Sequence, residues 1–388
     1  MNVVLSDPSL YTPAYDAALT RALLAIGVQP TWATRPVRPG DRQEIPAERT
    51  DAFFYRRIDR ADWLPRRLRS AFKGCAHVAG MMRLIWKVHR DKPDVVHFQW
   101  IVVPPVDIVA MALLRRWCPL VLTVHDSVAH NGQKLAWPQQ LGYDLSVKMA
   151  HQVIVHTRSG RQALERRGVP GDRVSVIPHG PLSLPVSAAP PAARDPRWTV
   201  VLFGEIKPYK GLDILIDAVA ALPPALRPQL RVVVAGRPRM DMGPLIARIA
   251  ALGLTAQFEL RLRRLSEEEM ATLFAEADGF VFPYRQIDAS GVYYLVNSLG
   301  KWLIASRVGI FAEEDVSGEG RGALVAPEDV PALAQALQHA IETRPCGRVA
   351  GPASSWSDIA HATRALYERA RMQFDARLAT RQRGVWQR

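Results

Sequence analysis

The stretch 199–213 constrains the fold more than any other part of this sequence. It opens with an uninterrupted apolar run, 200–203, which is short enough for a buried strand of a parallel sheet. Gly204, Lys207 and Lys210 follow, and the next residues have the apolar spacing of an amphipathic helix. A strand, a glycine turn, two lysines and a helix N-terminus predict a phosphate or diphosphate site. The alternative is an ordinary strand–helix loop whose lysines are merely solvated.

The composition limits the classes of protein that this chain can represent. A length of 388 residues favours two domains, and no apolar run reaches the roughly 18 residues that a membrane-spanning helix needs. The first residues have the pattern of a strand and not of a signal peptide. Three scattered cysteines indicate neither a disulfide framework nor a metal site and predict a reducing cytoplasm. A net charge of +13 predicts a polyanionic partner: nucleic acid, an anionic membrane or a phosphorylated substrate.

Strand and helix patterns alternate along the whole chain, which predicts an α/β fold. The alternation stops at a Pro- and Ala-rich stretch and then restarts. We therefore predict two Rossmann-like, doubly wound domains that face each other across a cleft. Residues 31–52 are rich in proline and charge and are predicted as loop. The predicted limits are a first domain at 1–180, a linker at 181–198, a second domain at 199–355 and a final helix at 356–388 that packs back on the first domain.

The segment 56–92 is strongly basic, with eleven Lys and Arg residues against three Asp. Apolar residues such as Trp63, Phe72, Met82 and Trp86 are interleaved with these charges. One interpretation is a solvated basic helical face that covers a core. The second is an interfacial surface that binds anionic lipid. A third is nucleic-acid binding, but the sequence contains no recognisable nucleic-acid-binding module.

Several motifs resemble a known family. They are Phe-Gly-Glu-Ile-Lys-Pro-Tyr-Lys-Gly (203–211), Phe-Pro-Tyr-Arg (282–285), Ser-Gly-Val (290–292) and Gly-Lys-Trp-Leu-Ile-Ala-Ser (300–306), with Val-Ile-Pro-His-Gly (176–180) and Thr-Val-His-Asp (123–126) in the first half. As a set, they resemble bacterial GT-B glycosyltransferases of family 4 and related exopolysaccharide glycosyltransferases. The resemblance spans nearly the whole chain. It implies that the second half binds a nucleotide-sugar and that the first half binds the acceptor.

The resemblance also implies the residues of the donor site. Lys210 matches the family's diphosphate-binding lysine, and Glu205 stands where an arginine is usual, so Lys207 is expected to supply that cation. The family's two glutamates, which have seven residues between them, are replaced by Ile287 and Leu295, as in some exopolysaccharide β-mannosyltransferases that resemble inverting enzymes. The full set of predicted donor-binding residues is Gly204, Glu205, Lys207, Lys210, Arg237, Tyr284, Arg285, Asp288, Ser290, Gly291 and Val292.

Glycosyl transfer makes separate demands on the two halves. The leaving nucleoside diphosphate gains negative charge, so cations and helix-end amides must face it. An inverting reaction also needs a base for the acceptor hydroxyl, and His125 and Asp126, at the end of a predicted strand, are the candidates, with His130 as a further one. His97 and His156 lie within apolar strands and are interpreted as core histidines.

These features predict a hexosyltransferase that uses a UDP- or GDP-linked sugar and needs no other cofactor. Because the sequence has no Asp-x-Asp pair for a diphosphate-bound ion, no metal dependence is predicted. The predicted acceptor is a polyprenyl-diphosphate-linked oligosaccharide of exopolysaccharide or cell-surface glycan assembly. The predicted location is the cytoplasm, peripheral on the inner face of the cell membrane, without nucleic acid as a partner. Two alternatives remain open: a nucleotide-sugar epimerase of the same fold, and a non-catalytic basic protein that binds membrane or nucleic acid.

Overall fold

The computed structural model of the chain forms two compact units. The first comprises Met1–Gly180 and Ser354–Arg388, and the second comprises Pro181–Ala353. The first segment of the first unit therefore ends at residue 180, where the sequence predicted a domain limit. The final helix belongs to the same unit. The structure describes residues 1–38, 41–56, 66–126, 137–184, 195–314, 316–317, 320–347 and 354–385, with no side chains for 66–71, 137–141 and 381–385.

The first unit is built on a seven-stranded sheet in which all strands are parallel. In chain order these are β1 (Asn2–Asp7), β2 (Gln29–Thr34), β3 (Thr50–Ala52), β4 (Val95–Phe98), β5 (Leu120–Val124), β6 (Gln152–Val155) and β7 (Val174–Val176). Their order across the sheet is β3-β2-β1-β4-β5-β6-β7. The helices are α1 (Pro13–Ala25), α2 (Arg66–Asp91), α3 (Pro104–Leu114), α4 (Trp137–Met149), α5 (Arg158–Arg166) and the last helix, α12 (Trp356–Val385).

Each face of this sheet is covered by helices, because the central strands are buried on both sides. One core joins the strands to α2, α3 and α4, and a second core joins them to α1 and α12. Ile359, Leu366 and Tyr367 of α12 are almost completely buried in the second core. The last helix is therefore an integral layer of the first unit. It also extends to Val385, beyond the end near residue 373 that the sequence pattern indicated.

The prediction of loop for residues 31–52 is wrong at both ends of that segment. β2 pairs with β1 along its whole length, and the short β3 pairs with β2. The indole of Trp32 is fully buried and donates a hydrogen bond to Thr20 Oγ1 at 2.7 Å. Burial against the sheet and α1 therefore decides the structure here, although the local composition favours a loop.

The second unit repeats this architecture with six parallel strands. The strands are β8 (Trp198–Phe203), β9 (Leu230–Ala235), β10 (Phe258–Arg261), β11 (Gly279–Phe282), β12 (Trp302–Ser306) and β13 (Gly322–Val325), in the order β10-β9-β8-β11-β12-β13. The helices are α6 (Leu212–Ala221), α7 (Gly243–Ala251), α8 (Glu267–Glu276), α9 (Gly291–Ser298), α10 (Gly309–Glu313) and α11 (Val330–Thr343). The predicted α/β class with two doubly wound, Rossmann-like domains is confirmed.

Local signals in the second unit agree with the tertiary structure. The capping box predicted at the start of α8 is present: Ser266 Oγ accepts from the Glu269 amide, and the Glu269 carboxylate accepts from the Ser266 amide. α6 follows the strand, glycine and lysine sequence that opens this unit, and its apolar side is buried. Among the described residues, no helix is both long enough and apolar enough to cross a bilayer.

Each sheet contains one point at which the strand order reverses. In the first unit this point lies between β1 and β4, and in the second unit it lies between β8 and β11. At such a point the crossover connections leave in opposite directions, which opens a crevice at the carboxyl ends of the two strands. The fold therefore places a potential ligand site in each unit, beyond the ends of these four strands.

Candidate functional site

At the carboxyl ends of β8 and β9, the backbone makes a close approach that requires glycine. Gly204 has φ +98° and Gly236 has φ +146°. A Cβ atom added to Gly236 would lie 2.0 Å from the carbonyl oxygen of Gly204. No side chain fits in that space, so the two loops are packed backbone against backbone and leave main-chain groups at the sheet edge.

Lys210 places its amine directly beside this turn. The Lys210 Nζ atom would lie 2.8 Å from a Cβ atom added to Gly204, and it donates to the Phe203 carbonyl oxygen at 2.8 Å. The side chain is almost fully buried, and its Nζ lies 5.5 Å from the centroid of the Tyr284 ring. An ammonium group carries three donors, so hydrogen-bonding capacity remains for a ligand at the sheet edge.

The turn that carries Lys210 is fixed by a second glycine. Gly211 has φ +68°, and a Cβ atom there would lie 2.0 Å from the carbonyl oxygen of Pro283, which follows β11. The Arg285 amide donates to the Tyr209 carbonyl oxygen at 2.8 Å. The loops after β8 and β11 are therefore locked together, which holds Lys210 at the point where the strand order reverses.

Burial lowers the pKa of Lys210 from 10.5 to about 7. The positive charge of Lys207 lowers this pKa further, and the negative charge of Glu205 opposes the shift. The protein therefore holds a cation where solvation is poor and where no carboxylate compensates it fully. A bound anion would restore the charged form of this lysine.

The N-terminus of α9 lies next to the same glycine turn. Val292 Cγ2 would be 3.4 Å from a Cβ atom at Gly204. Ser290 caps the helix by accepting a hydrogen bond from the Tyr293 amide at 3.4 Å. Within the described part of the chain, the amides of Gly291 and Val292 have no acceptor. These two amides and Lys210 present donors of the kind that bind a diphosphate.

Lys207 is part of an ion-pair network rather than an isolated cation. Its Nζ lies 3.1 Å from Glu205 Oε2, and the guanidinium of Arg239 contacts the other oxygen of the same carboxylate. Burial tends to raise the pKa of Glu205, but hydrogen bonds from Arg239 and Lys207 outweigh it and lower that pKa. The sequence analysis missed Arg239, which lies in the loop after β9 and brings a second cation to Glu205.

Arg285 connects the loops around the site through hydrogen bonds. Its guanidinium donates to both carboxylate oxygens of Asp213, at 3.1 and 2.6 Å, and to the Pro208 carbonyl oxygen at 2.8 Å. Its Nε donates to Glu328 Oε1 at 2.9 Å. Arg285 therefore ties the lysine loop to α6. Its direct contact with a donor stays a prediction.

The remaining predicted residues have different surroundings. Tyr284 is fully buried with Lys210 Nζ 5.5 Å from its ring centroid, and burial raises the pKa of its hydroxyl well above the ordinary value. Asp288 is half-buried, and its carbonyl oxygen accepts from the Ile310 amide at 2.8 Å, which fixes the loop before α9. Arg237 is exposed at the end of β9, and no acidic partner for it occurs among the described residues. Of the three, Arg237 is therefore the one whose charge is open to a ligand.

In the first unit, His125 lies just beyond β5 in an aromatic enclosure. Its ring stacks on Trp100, with centroids 4.6 Å apart, and it contacts the edge of Tyr15. Its Nδ1 is 3.1 Å from His156 Nε2, and its Nε2 is 3.2 Å from Gln99 Oε1. His156, interpreted from the sequence as a core histidine, is buried but directly contacts this candidate base.

The proton positions in this cluster follow from its hydrogen bonds. His156 Nδ1 faces the Ile177 carbonyl oxygen at 2.9 Å, so it must carry a proton and donate. In the neutral ring, Nε2 of His156 then accepts from His125 Nδ1, which leaves a lone pair on His125 Nε2. The Gln99 amide nitrogen is buried without a partner, and a rotated amide would direct it at that lone pair.

Burial keeps this cluster uncharged. It lowers the pKa of His156 to about 4 and holds the pKa of His125 well below its ordinary value, with His156 adding to the latter shift. A neutral His125 with a lone pair on Nε2 has the form that a general base requires. His97 is a core residue, as expected, bonded to the hydroxyls of Tyr367 and Thr123 at 2.7 and 2.8 Å.

The other two candidates for the base are less well defined. The Asp126 carboxylate is half-buried at the end of β5, and its backbone carbonyl oxygen accepts from the Tyr143 hydroxyl at 2.9 Å. His130 lies outside the described residues. Both remain predictions.

A pair of buried carboxyl groups near His125 was missed by the sequence analysis. Asp7 ends β1 and accepts from the amides of Tyr11 and Thr12, and Asp16 accepts from the Thr12 hydroxyl at 3.4 Å. Burial raises the pKa of Asp7 to about 6 and, with the charge of Asp7, raises that of Asp16 well above normal. Burial and the charge of Asp7 therefore favour the protonated form of Asp16. A carboxylate directly after the first predicted strand was the available signal.

Thr12 links this pair to the histidine enclosure, because its hydroxyl also accepts from the Trp100 indole at 3.1 Å.

In the described ranges, no group of three or more His, Cys, Asp and Glu residues could hold a metal ion.

Comparison with known proteins identifies the family of the chain. Residues 16–180 match the model of Glycosyltransferase Family 4, and residues 197–343 match the model of the Glycosyl transferases group 1. The D-inositol 3-phosphate glycosyltransferase of Mycobacterium tuberculosis H37Rv is 28% identical over 335 residues, which cover 78% of this chain and 67% of that protein.

Two solved structures share the fold. Anabaena Alr3699/HepE, in complex with UDP and glucose, has a TM-score of 0.66 and 17% identity, with 98% of this chain and 100% of that one covered. The catalytic domain of starch synthase IV from Arabidopsis thaliana, bound to ADP and acarbose, has a TM-score of 0.69 and 13% identity, with 96% and 99% covered.

The fold is that of a GT-B glycosyltransferase. With family models matched in both halves, the chain belongs to the glycosyltransferases of the family 4 type.

The buried lysine generates a test of the site itself. Because Lys210 has a pKa of about 7 in the folded protein and 10.5 ordinarily, the folded state binds fewer protons than the unfolded state between these values. Wild-type stability should therefore rise with pH relative to Lys210→Met, by up to about 1.4 kcal/mol per pH unit. Urea unfolding of both proteins from about pH 6 to about pH 9 measures this difference.

Lys207→Met is the matched control, because that lysine is more exposed and paired with Glu205. A stability difference between wild type and Lys210→Met that stays constant across this pH range would contradict the assignment of a buried, partly deprotonated amine.

Proposed function

We propose that this chain transfers a hexosyl group from a nucleotide-sugar to a polyprenyl-diphosphate-linked glycan at an anionic membrane surface. The reaction belongs, in this proposal, to exopolysaccharide or cell-surface glycan assembly. The observation that carries the proposal is the group of donors beyond β8 and β11: the buried Lys210 amine beside the unpaired amides of Gly291 and Val292.

The donor site suits a diphosphate for an electrostatic reason. A diphosphate leaving group gains charge as the glycosidic bond breaks, and preoriented donors in a poorly solvated site stabilise that charge. Lys210 is held by Phe203 and Tyr284, so little reorganisation is needed when a ligand binds. The complexes with UDP and with ADP in the two neighbours support a nucleoside diphosphate as the bound group.

His125 is the proposed general base for the acceptor hydroxyl. A sugar hydroxyl is uncharged, and the enclosure of His125, His156 and Trp100 is also uncharged at neutral pH. The acceptor hydroxyl would take the place of the Gln99 amide at His125 Nε2, which would then accept the hydroxyl proton. The resulting imidazolium would donate through Nδ1 to His156, whose Nδ1 donates to the Ile177 carbonyl oxygen. Apolar Ile287 and Leu295, where the family has glutamates, favour an inverting reaction that needs no carboxylate on that loop.

The exposed side of α2 supports the membrane part of the proposal. Val78, Met82 and Trp86 recur every four residues and are 42%, 65% and 56% exposed. Arg90 lies over the Trp86 ring at 4.5 Å. An exposed apolar stripe with cations beside it fits the interface of an anionic bilayer. Residues 57–65, which belong to the same basic segment, lie outside the described residues.

The first prediction concerns donor binding. Lys210→Ala should weaken binding of a nucleoside diphosphate by about tenfold or more, because a charge-assisted hydrogen bond contributes roughly 1.5–3 kcal/mol. Lys207→Ala should have a smaller effect, since that lysine is already paired with Glu205. A thermal-shift screen of UDP-, GDP- and dTDP-sugars identifies the donor, and calorimetry then measures each affinity. Equal affinities for wild type and Lys210→Ala would refute the assignment.

The second prediction is that transfer does not require a divalent ion. Lys210 and the α9 amides already supply the countercharge for the leaving diphosphate. Initial rates with the identified donor should be the same before and after EDTA treatment. A rate that disappears in EDTA and returns with Mg²⁺ or Mn²⁺ would show that the countercharge comes from a metal ion.

The third prediction concerns the membrane. Met82→Asp with Trp86→Asp should release the protein from vesicles that contain phosphatidylglycerol, because both changes put charge on the exposed apolar stripe. Wild-type binding should also fall sharply at about 1 M salt, where the Debye length is about 3 Å. Ile246→Asp, a similarly exposed position in the second unit, is the control. Undiminished co-sedimentation of the double variant would mean that α2 is only a solvated surface.

A further inference from the structure

A pocket of about 480 Å³ lies on the first unit, near the amino ends of β5 and β6. His125 lies beyond the carboxyl end of β5. The pocket lies between the end of α3, the residue before β6 and the last third of α12. Its lining includes Ala112, Arg115, Arg116, His151, Phe374 and Arg377. Since Arg116 precedes β5 and His125 follows that strand, the pocket is separated from the candidate acceptor site by the length of β5.

The charge of this pocket is not balanced by the protein. Three arginines line it, and among the described residues no carboxylate does so. Arg116 and Arg377 have no acidic partner in the described ranges. Elsewhere in the same unit, arginines are paired: Arg161 with Glu165 at 2.8 Å and Arg371 with Asp94 at 2.7 Å. The pocket therefore holds positive charge that no described carboxylate in its lining neutralises.

The electrostatic effect of this cluster is visible on its neighbours. Burial lowers the pKa of His151 to about 4, with contributions from the charges of Arg115, Arg377 and Arg173. Burial also lowers the pKa of Arg173, with contributions from Arg377 and Arg115 that Asp172 only partly opposes. The guanidinium groups of Arg115, Arg173 and Arg377 thus repel one another, at a cost that an anion in the pocket would relieve.

Of the four arginines in or beside the pocket, only Arg173 has a role in helix capping that the described contacts show. Arg173 donates to the Lys148 carbonyl oxygen at 2.9 Å and to that of Ala150, so it caps the end of α4. Neither Arg116 nor Arg377 makes a described bond of this kind. Their guanidinium groups are exposed, on the pocket wall and without a structural role that the contacts reveal.

The rest of the lining adds a neutral donor and an apolar wall. His151 Nδ1 accepts the Leu120 amide at 2.9 Å, so the proton of the neutral ring is on Nε2. Phe374 packs edge-on against that ring, with centroids 5.7 Å apart. Paired guanidinium forks suit the oxygens of a phosphate, and the remaining volume and apolar wall suit an organic body attached to it.

We propose that this pocket binds a phosphate group carried on a larger molecule. Arg116 and Arg377 contact the phosphate oxygens, and Phe374 and Ala112 contact the organic part. The phosphate can come from a soluble phosphorylated compound or from a phospholipid headgroup, and the chemistry of recognition is the same. The proposal does not depend on the donor site, on His125 or on the exposed stripe of α2.

The test uses the full-length protein, Arg116→Gln/Arg377→Gln, and Arg21→Gln as a matched control for an exposed arginine of the same unit. Inorganic phosphate is titrated against chloride at constant ionic strength while the His151 ring proton resonance is followed by NMR. Phosphate should raise the pKa of His151 in wild type and in Arg21→Gln, because the anion offsets the arginine charges. In the double variant, phosphate affinity at this resonance should fall by about tenfold or more.

The melting temperature of the double variant shows whether the substitutions disturb folding. In chloride, Arg116→Gln/Arg377→Gln should melt no lower than wild type, because the substitutions relieve repulsion between like charges. Phosphate that binds at the Lys210 site would raise the melting temperature of every variant but would not move the His151 resonance. A His151 resonance that ignores phosphate, or responds equally in wild type and double variant, would overturn the proposal.

Vesicles distinguish the two sources of the phosphate. Wild type, the double variant and Met82→Asp/Trp86→Asp are sedimented with phosphatidylcholine vesicles that contain or lack phosphatidylglycerol. If the headgroup is the ligand, the pocket variant binds the anionic vesicles less tightly, and inorganic phosphate competes with them in wild type. If the ligand is soluble, vesicle binding is unaffected by the pocket variant, whereas the His151 response to phosphate remains. Both results support a phosphate pocket and differ only in its source.

Discussion

The single reversal of strand order in each parallel sheet is the constraint on which the function of this molecule depends. It separates the crossover connections beyond β1 and β4 in one unit, and beyond β8 and β11 in the other. In the second unit the loops beyond β8 and β11 are then packed so closely that Gly211 is required against Pro283. Lys210, at the end of that turn, is almost fully buried and donates to the Phe203 carbonyl oxygen, so its amine is held at the sheet end.

The two sites use burial in opposite ways. In the second unit, burial keeps an amine poorly solvated beside unpaired helix amides, so a negative ligand gains more from it than it would from a surface lysine. In the first unit, burial keeps His125 and His156 neutral and raises the pKa values of the neighbouring Asp7 and Asp16 carboxyl groups. One unit therefore suits charge that develops on a leaving group, and the other suits transfer of a proton from a neutral hydroxyl.

Positive charge is not distributed evenly over the described surface of this chain. Much of it is neutralised locally, as in the clamp of Arg285 by Asp213 and Glu328 and the pairing of Glu205 with Lys207 and Arg239. Unbalanced charge is confined to particular places, among them the pocket lined by Arg116 and Arg377 at the amino edge of the first sheet. Part of the net charge of +13 is therefore concentrated at particular places on the surface.

The sequence by itself determined the fold class, the two-unit organisation and the place of Lys210, because these depend on local periodicity, on glycine and on the order of elements along the chain. It also located the capping box of Ser266 and the end of β5 at His125. The tertiary structure alone decided which side chains meet. Arg239 reaches Glu205 from another strand, Asp7 meets Asp16, and Arg377 of the last helix lines the same pocket as Arg116, which follows α3. Composition misled for β2 and β3, since burial of Trp32 against the sheet outweighs a proline-rich context. Such contacts join residues far apart in the chain, and local patterns carry no information about them.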